Sequence, residues 1–239
     1  MNALLERIYR SGEVEDADGH RIRCSPVGVT LEAGTVLYDL IRATRPERTL
    51  EIGLAYGVSA LFICQAHRDN GTGRHTAIDP FEQDVWQSIG VLNIERAGLS
   101  DLFRFLPAPS FEVLPQLYAG GERFDFALID GSHLFDDALI DFFYIDKLLT
   151  VGGHVVFDDL WMPGVRKVVA FVLRNRAYRL VRPSVRYRAP VWKRVARVGR
   201  RILQDPFGRD VRLKLVTENV GVLTKTAEDA RPWDHHRSF

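Results

Sequence analysis

A strand that runs into a glycine loop and then into a helix constrains the fold of this chain more than any other feature. The segment from Thr49 to Ser59 reads Thr-Leu-Glu-Ile-Gly-Leu-Ala-Tyr-Gly-Val-Ser. Glycines in such a loop let the backbone approach a ligand closely at the carboxyl edge of a parallel sheet. The spacing differs from the G-x-G-x-x-G of pyrophosphate binders, and the acidic Glu51 would repel a diphosphate. A cationic or zwitterionic small molecule is therefore the expected ligand.

Short apolar runs alternate with helical patterns from about residue 30 to residue 182, as in a parallel sheet with crossover helices. We therefore predict an α/β fold with a Rossmann-like, doubly wound, mostly parallel sheet. The predicted strands are 49–52, 75–78, 103–106, 124–129, 154–157, 178–181 and 220–224. The predicted helices are 31–44, 58–67, 84–97, 111–117, 135–149 and 163–175.

The length of 239 residues gives room for one α/β domain with additions. We expect a single domain over residues 1–239, with an N-terminal extension at 1–29 and a basic insertion at 182–219. No apolar run approaches the roughly 20 residues of a membrane span, and the N-terminus lacks the apolar region of a signal peptide, so a cytoplasmic location is expected. Cys24 and Cys64 lack metal-type spacing, and we predict that both are buried thiols.

An acidic residue, Asp79, follows the next predicted strand, where a carboxylate can accept both hydroxyl protons of a ribose. A glycine loop alone is weak evidence, but a loop followed one βα unit later by an acid is much more specific. Over roughly residues 28–182 the chain resembles the class I S-adenosylmethionine-dependent methyltransferases. The resemblance implies a seven-stranded sheet with an antiparallel last strand.

The same resemblance assigns cofactor contacts. It implies that Glu51, Gly53 and Ser59 contact the methionine part of S-adenosylmethionine and that Asp79 binds its ribose. Ser110 would lie beside the adenine, although a serine in front of a helix is equally a good N-cap.

Three carboxylates end two predicted strands. Asp130 lies in Ile-Asp-Gly-Ser-His, and Asp158 and Asp159 lie in Phe-Asp-Asp-Leu-Trp. Neighbouring strands are roughly 5 Å apart, so these carboxylates should converge at the edge that carries the glycine loop. Oxygen ligands select Mg²⁺, Ca²⁺ or Mn²⁺ over zinc, which predicts a divalent-metal site. The alternative is that Asp130 and Asp159 cap the helices or turns that follow them.

The pairing of these two motifs resembles the metal-dependent O-methyltransferases, among them the catechol, caffeoyl-CoA and macrolide-sugar enzymes. The resemblance implies that Asp130, Asp158 and Asp159 hold Mg²⁺, which holds the acceptor hydroxyl, lowers its pKa and orients it toward the sulfonium methyl.

Catechol-type enzymes usually carry lysine where this chain has His133. With Asp130, His133 is predicted to be catalytic, as the acceptor of the hydroxyl proton. The alternatives are that His133 is a partner of Asp130 or a buried structural histidine. Trp161 could form a wall of the acceptor pocket or simply pack.

The segment 174–214 is strongly basic, with fourteen Lys and Arg against two Asp, a net charge of +12. At about 100° per residue, one face of a helix in the insertion is apolar and the opposite face is basic. The apolar face contains Trp192, Val195, Ala196, Val198, Gly199, Ile202 and Leu203, and the basic face contains Lys193, Arg194, Arg197, Arg200 and Arg201. We expect the apolar face to dock on the sheet with the basic face solvated. The alternatives are a peripheral position on an anionic membrane surface or a grip on a phosphorylated acceptor.

The leading hypothesis is O-methylation of a hydroxylated small molecule, such as a sugar, a glycolipid or a secondary metabolite. One alternative, prompted by the basic segment, is a metal-independent methyltransferase acting on nucleic acid. Because no Asn-Pro-Pro-Tyr-type motif follows the fourth predicted strand, nucleic acid is not the expected partner. Another alternative is a non-catalytic cofactor-binding protein. A homodimer is also considered, since proteins of this kind often dimerise.

Overall fold

The computed structural model describes residues 2–25, 27–182, 189–204, 211–216 and 218–239. Its strands are β1 (Glu13–Glu15), β2 (Arg21–Arg23), β3 (Arg48–Ile52), β4 (Arg74–Ile78), β5 (Phe103–Leu106), β6 (Phe124–Ile129), β7 (Leu149–Phe157), β8 (Tyr178–Val181) and β9 (Gly221–Lys225). Its helices are α1 (Ala3–Ser11), α2 (Leu31–Thr44), α3 (Val58–Asn70), α4 (Ile89–Arg96), α5 (Ser110–Ala119), α6 (Phe135–Leu148), α7 (Pro163–Asn175), α8 (Val191–Gln204) and α9 (Val211–Lys214), with a 3₁₀ turn at Ser100–Leu102.

Seven of the strands form one sheet in the order β5-β4-β3-β6-β7-β9-β8. The pairs from β5 through β7 are parallel, and β9 runs antiparallel between β7 and β8. The predicted doubly wound sheet with an antiparallel last strand is confirmed. The direction of winding reverses between β3 and β6, so a ligand crevice is expected where these two strands end.

The central strands are buried on both faces because helices cover both sides of the sheet. β3 shows this, since Leu50 and Ile52 pack with α5, α6 and α7 on one side, whereas α1, α2, α3 and α4 build the core of the other side. This two-sided burial explains why the strands read as continuous apolar runs.

The helix boundaries follow local signals, and the largest departure from the prediction is at α4. The Thr30 side chain accepts a hydrogen bond from the Ala33 N–H and begins α2, and Pro163 opens α7. The prediction of a helix from residue 84 was wrong in its first turn. Gln87 and Ser88 have φ angles of 55° and 57°, which interrupt an α-helix, so α4 begins at Ile89.

The N-terminal extension, for which the sequence predicted no elements, folds as α1 and a β1–β2 hairpin. Leu5, Ile8 and Val14 are buried in the same core as α2 and α3. The Tyr9 hydroxyl donates a hydrogen bond of 2.6 Å to the Val29 carbonyl. The extension is therefore packed against the sheet domain.

The helix predicted in the basic insertion forms as α8, but the expected orientation was wrong. Its apolar residues Trp192 and Leu203 are exposed, whereas Arg201 is buried and donates hydrogen bonds to the carbonyls of Val216 and Glu218. Parts of the predicted insertion, residues 183–188, 205–210 and 217, lie outside the described residues. No helix in the described part of the chain has the length and apolarity needed to cross a bilayer.

Candidate active site

A cavity of about 1020 Å³ opens at the carboxyl ends of β3, β4, β6 and β7, at the point where the winding reverses. It is lined by most of the residues that the sequence analysis selected, namely Gly53, Ser59, Asp79, Ser110, Asp130, His133, Asp158 and Asp159. The N-terminal extension also reaches the cavity through Val27, Gly28 and Val29.

Gly53 sits where the chain leaves β3, with a φ angle of 92°. A Cβ atom at this position would lie 2.3 Å from the carbonyl oxygen of Asp130. Only glycine fits such a close approach of two backbones, which explains why the loop after β3 begins with this residue.

Asp79 fixes the glycine loop from the end of β4. Its Oδ2 accepts hydrogen bonds from the backbone N–H groups of Leu54 (2.9 Å) and Ala55 (3.0 Å), and its Oδ1 accepts one from Phe81 (2.8 Å). Oδ2 thus uses both of its lone pairs on the backbone, whereas Oδ1 keeps one for a ligand in the cavity.

Glu51 is the selected cofactor residue that does not line the cavity. Its side chain is fully buried, with Oε1 3.2 Å from Nε2 of His75. Thr49 Oγ1 lies 2.9 Å from His75 Nδ1 and 2.9 Å from His67 Nε2, so a polar chain runs within the core. Burial lowers the pKa of His67 to about 4. The contact of Glu51 with the methionine part of the cofactor stays a prediction.

Ser110 is the first residue of α5 and not its N-cap, because the N-cap position is occupied by Pro109. Its neighbour in the cavity wall is the buried Asp141 of α6. Burial raises the pKa of Asp141 to about 6, and a hydrogen bond from Ser110 partly offsets this rise. The competing prediction of an N-cap role for Ser110 was therefore wrong.

The acidic cluster forms where β6 and β7 end. His133 Nε2 lies 3.0 Å from Asp159 Oδ2 and 3.7 Å from Asp130 Oδ1. One ligand atom from each of these three residues falls within 4.8 Å of the others. Asp158, the third predicted metal ligand, lines the same cavity but is not one of this close group.

The carboxylates of the cluster titrate differently because their surroundings differ. Burial raises the pKa of Asp130 to about 6, and burial together with the neighbouring carboxylates raises that of Asp158 well above its ordinary value. Burial also raises the pKa of Asp159, but the imidazole of His133 and hydrogen bonds from Asn219 and Trp161 lower it overall. The nearby carboxylates of Asp130 and Asp159 raise the pKa of His133 to about 10, so the imidazolium is the counter-charge of the cluster.

Asn219 belongs to the site but was missed by the sequence analysis. Its Nδ2 donates to Asp159 Oδ1 at 2.8 Å, and Trp161 Nε1 donates to the same oxygen at 2.8 Å. Asn219 precedes β9, which pairs with β7, and this antiparallel pairing brings it to the acids. Trp161 lines the cavity, as one of its two predicted roles required.

Residues 50–160 match a family described as a methyltransferase domain. The chain is similar to a caffeoyl-CoA O-methyltransferase of Stellaria longipes, with 27% identity over 56% of this chain and 55% of that protein. It is also similar to a flavonoid 3',5'-methyltransferase of Vitis vinifera, with 28% identity over 60% of each chain. The chain therefore spans somewhat more than half the length of the curated relatives it matches.

Two solved structures share the fold. One is the O-methyltransferase TomG of Streptomyces achromogenes, involved in tomaymycin synthesis and solved with SAM. It has a TM-score of 0.62 and 16% identity over 95% of this chain and 91% of that one. The other is an O-methyltransferase of Bacillus cereus in complex with SAH, with a TM-score of 0.61 and 20% identity over 76% and 83%.

Proposed function

We propose that this chain is a class I methyltransferase that transfers the methyl group of S-adenosylmethionine to a hydroxyl of a small molecule with the help of a divalent cation. The observation that carries the proposal is the convergence of Asp79, the glycine loop and the acidic cluster on one cavity at the end of the parallel strands. The relatives support the acceptor class, because their names specify caffeoyl-CoA and a flavonoid.

The cofactor half of the cavity is prepared by the backbone. In the proposal Oδ1 of Asp79 accepts a hydrogen bond from a ribose hydroxyl, while the N–H groups of Leu54 and Ala55 already hold the carboxylate in place through Oδ2. Ser59 and Gly53 face the methionine part, and Ser110 faces the adenine. A carboxylate that is fixed before binding loses little side-chain entropy when the ligand arrives.

The acidic half of the cavity fits a divalent cation. Its donors are hard oxygen atoms plus one imidazole, and a positive charge offsets the burial and the neighbouring carboxylates that raise the pKa of Asp130 and Asp158. We assign the ligands to Asp130, Asp158 and Asp159, with Mg²⁺ as the expected ion. Such an ion supplies Lewis-acid activation of the acceptor hydroxyl when bound.

The transfer itself is a displacement in line with the sulfonium. A carbon–oxygen bond forms as the carbon–sulfur bond breaks, the sulfonium becomes a neutral thioether, and the hydroxyl proton leaves. We propose that His133 takes this proton at Nε2, which requires the neutral imidazole. In the structure the carboxylates of Asp130 and Asp159 stabilise the protonated form of His133. His133 would therefore act as a base only when a bound cation neutralises these carboxylates.

Titration calorimetry on chelator-treated protein tests the cofactor site. We expect S-adenosylmethionine to bind the wild type, Asp79→Ala to abolish binding, and the exposed Asp84→Ala to bind normally. Equal affinities for the two variants would contradict the assignment of Asp79.

The metal site is tested by the same method with Mg²⁺. We expect Asp130→Asn to lose Mg²⁺ binding and the exposed Asp136→Asn to keep it. Cofactor binding without metal binding would favour a metal-independent methyltransferase, and binding of neither would favour a different function for the fold. Transfer of a labelled methyl group to caffeoyl-CoA and to flavonoids is the first acceptor screen.

A further inference from the structure

The exposed side of α8 is unusually apolar for a surface helix. Its apolar residues Val191, Trp192, Val195, Ile202 and Leu203 are 70%, 67%, 65%, 43% and 83% exposed. We call these five residues the α8 apolar face. A surface helix of a globular protein ordinarily turns such a stripe toward the core.

Cations on the opposite side of α8 determine this orientation. Arg201 is fully buried and donates to the Glu218 carbonyl at 2.8 Å and to the Val216 carbonyl. Arg197 forms an ion pair of 2.6 Å with the buried Glu32 of α2. Because guanidinium groups anchor the helix, its apolar face is left for another surface.

The charge around the α8 apolar face decides which surface fits. Lys193 and Arg200 are exposed along one margin of this face, about 80–100° from Trp192 around the helix. The segment 174–214 carries a net charge of +12. Two copies of so basic a segment repel each other, whereas an anionic surface attracts it.

We propose that the α8 apolar face docks on an anionic lipid bilayer, with Trp192 and Leu203 inserted at the boundary of head groups and acyl chains. Lys193 and Arg200 lie at the level of the lipid phosphates. An amphipathic helix with tryptophan on its apolar face and Lys and Arg beside it has the composition of an interfacial helix.

Docking brings the cavity close to the lipid head groups. The Arg200 guanidinium lies 4.8 Å from the ring centre of Trp161, which lines the cavity. An acceptor that is itself amphiphilic could then enter from the membrane surface. This consequence, unlike the docking, rests on the proposed methyl transfer.

Flotation with phosphatidylcholine vesicles, with and without phosphatidylserine, tests the docking. We expect the wild type to float only with the anionic vesicles. The double variant Trp192→Ser, Leu203→Ser should lose at least about tenfold in partitioning, because two large apolar side chains no longer enter the bilayer. Trp233→Ser is the matched control, since Trp233 is 98% exposed and distant in sequence from α8, and it should float like the wild type.

Two further tests of the docking concern charge and self-association. Lys193→Glu should weaken flotation, and added salt should weaken it further. A wild type that does not float, or a double variant that floats equally well, overturns the proposal. A concentration-dependent dimer in sedimentation that the double variant abolishes, without flotation, also overturns it and identifies a second copy as the occupant. Flotation needs neither cofactor nor acceptor, so its result is independent of the methyltransferase assay. Thermal unfolding measurements confirm that the variants fold.

Discussion

Glu82 lies beneath the N-terminus of α4 and is only 1% exposed. Its Oε1 accepts a hydrogen bond of 3.1 Å from the Val91 N–H. Burial raises the pKa of this carboxyl from 4.5 to about 7, and the charges of Asp79 and Glu51 act in the same direction. Replacement by glutamine keeps the amide-accepting oxygen and removes the ionisation.

The direction of the pH effect follows from linkage. Because the folded pKa of Glu82 is raised, the folded state binds more protons than the unfolded state between about pH 4.5 and about pH 7. The stabilisation from the protonated carboxyl is complete below the unfolded pKa and is lost as pH rises through the folded one. The difference between the two pKa values corresponds to roughly 3 kcal/mol of unfolding free energy.

Chemical denaturation of wild type and Glu82→Gln from about pH 5 to about pH 8 measures this effect. We expect the unfolding free energy of the variant to rise relative to that of the wild type by roughly 2.5 kcal/mol across this range. Glu95→Gln, an exposed position on the same helix, is the control and should show no such trend. A difference between Glu82→Gln and wild type that does not change with pH would refute the buried neutral carboxyl.

Three further predictions concern the site and the core. Gly53→Ala should lose about 2–5 kcal/mol of unfolding free energy, because Gly53 has a positive φ and the new Cβ would clash with the Asp130 carbonyl. The control Gly98→Ala also has a positive φ, but its Cβ would meet no atom within 4 Å, so it should lose only roughly 1–2 kcal/mol. Equal losses in denaturation would contradict the close approach. Asn219→Ala should weaken Mg²⁺ binding about tenfold and leave S-adenosylmethionine binding unchanged in calorimetry, because only the acids lose a donor; parallel losses would indicate a general structural change. Burial raises the pKa of Cys24 and Cys64, so neither should react with a thiol reagent before unfolding, and reaction of the native protein would count against their burial.

The parallel part of the fold could be predicted because its signals are local. The strands β5, β6 and β8 have the predicted bounds, and so do α2 and α7. Buried parallel strands are short apolar runs, and glycine or proline marks their ends. The carboxyl ends of such strands share one edge, which is why Asp79, Asp130, Asp158 and Asp159 line one cavity, whereas Glu51, inside β3, is buried in the core.

Other features depend on tertiary contacts that leave no periodic pattern. The strands β1 and β2 are three residues each, which is too short to show the alternation of apolar and polar residues that predicts a strand. The amphipathic pattern of α8 defines two faces but not which one points inward, and the buried Arg201 is satisfied by carbonyls some fifteen residues away in sequence. Asn219 is the last of three consecutive polar residues before a strand, and it reaches the acids only through the pairing of β7 with β9.

The antiparallel pairing of β8 with β9 has a consequence for how proteins of this architecture can diversify. Val181 pairs directly with Val222, so the segment between them leaves and re-enters the sheet at adjacent positions. Doubling the length of a segment closed in this way costs only about 0.6 kcal/mol of chain entropy. A designer could therefore exchange this segment for another recognition element without rebuilding the cofactor half. The replacement must keep Asn219 in front of β9, because its amide connects the exchangeable segment to the carboxylates at the end of β7.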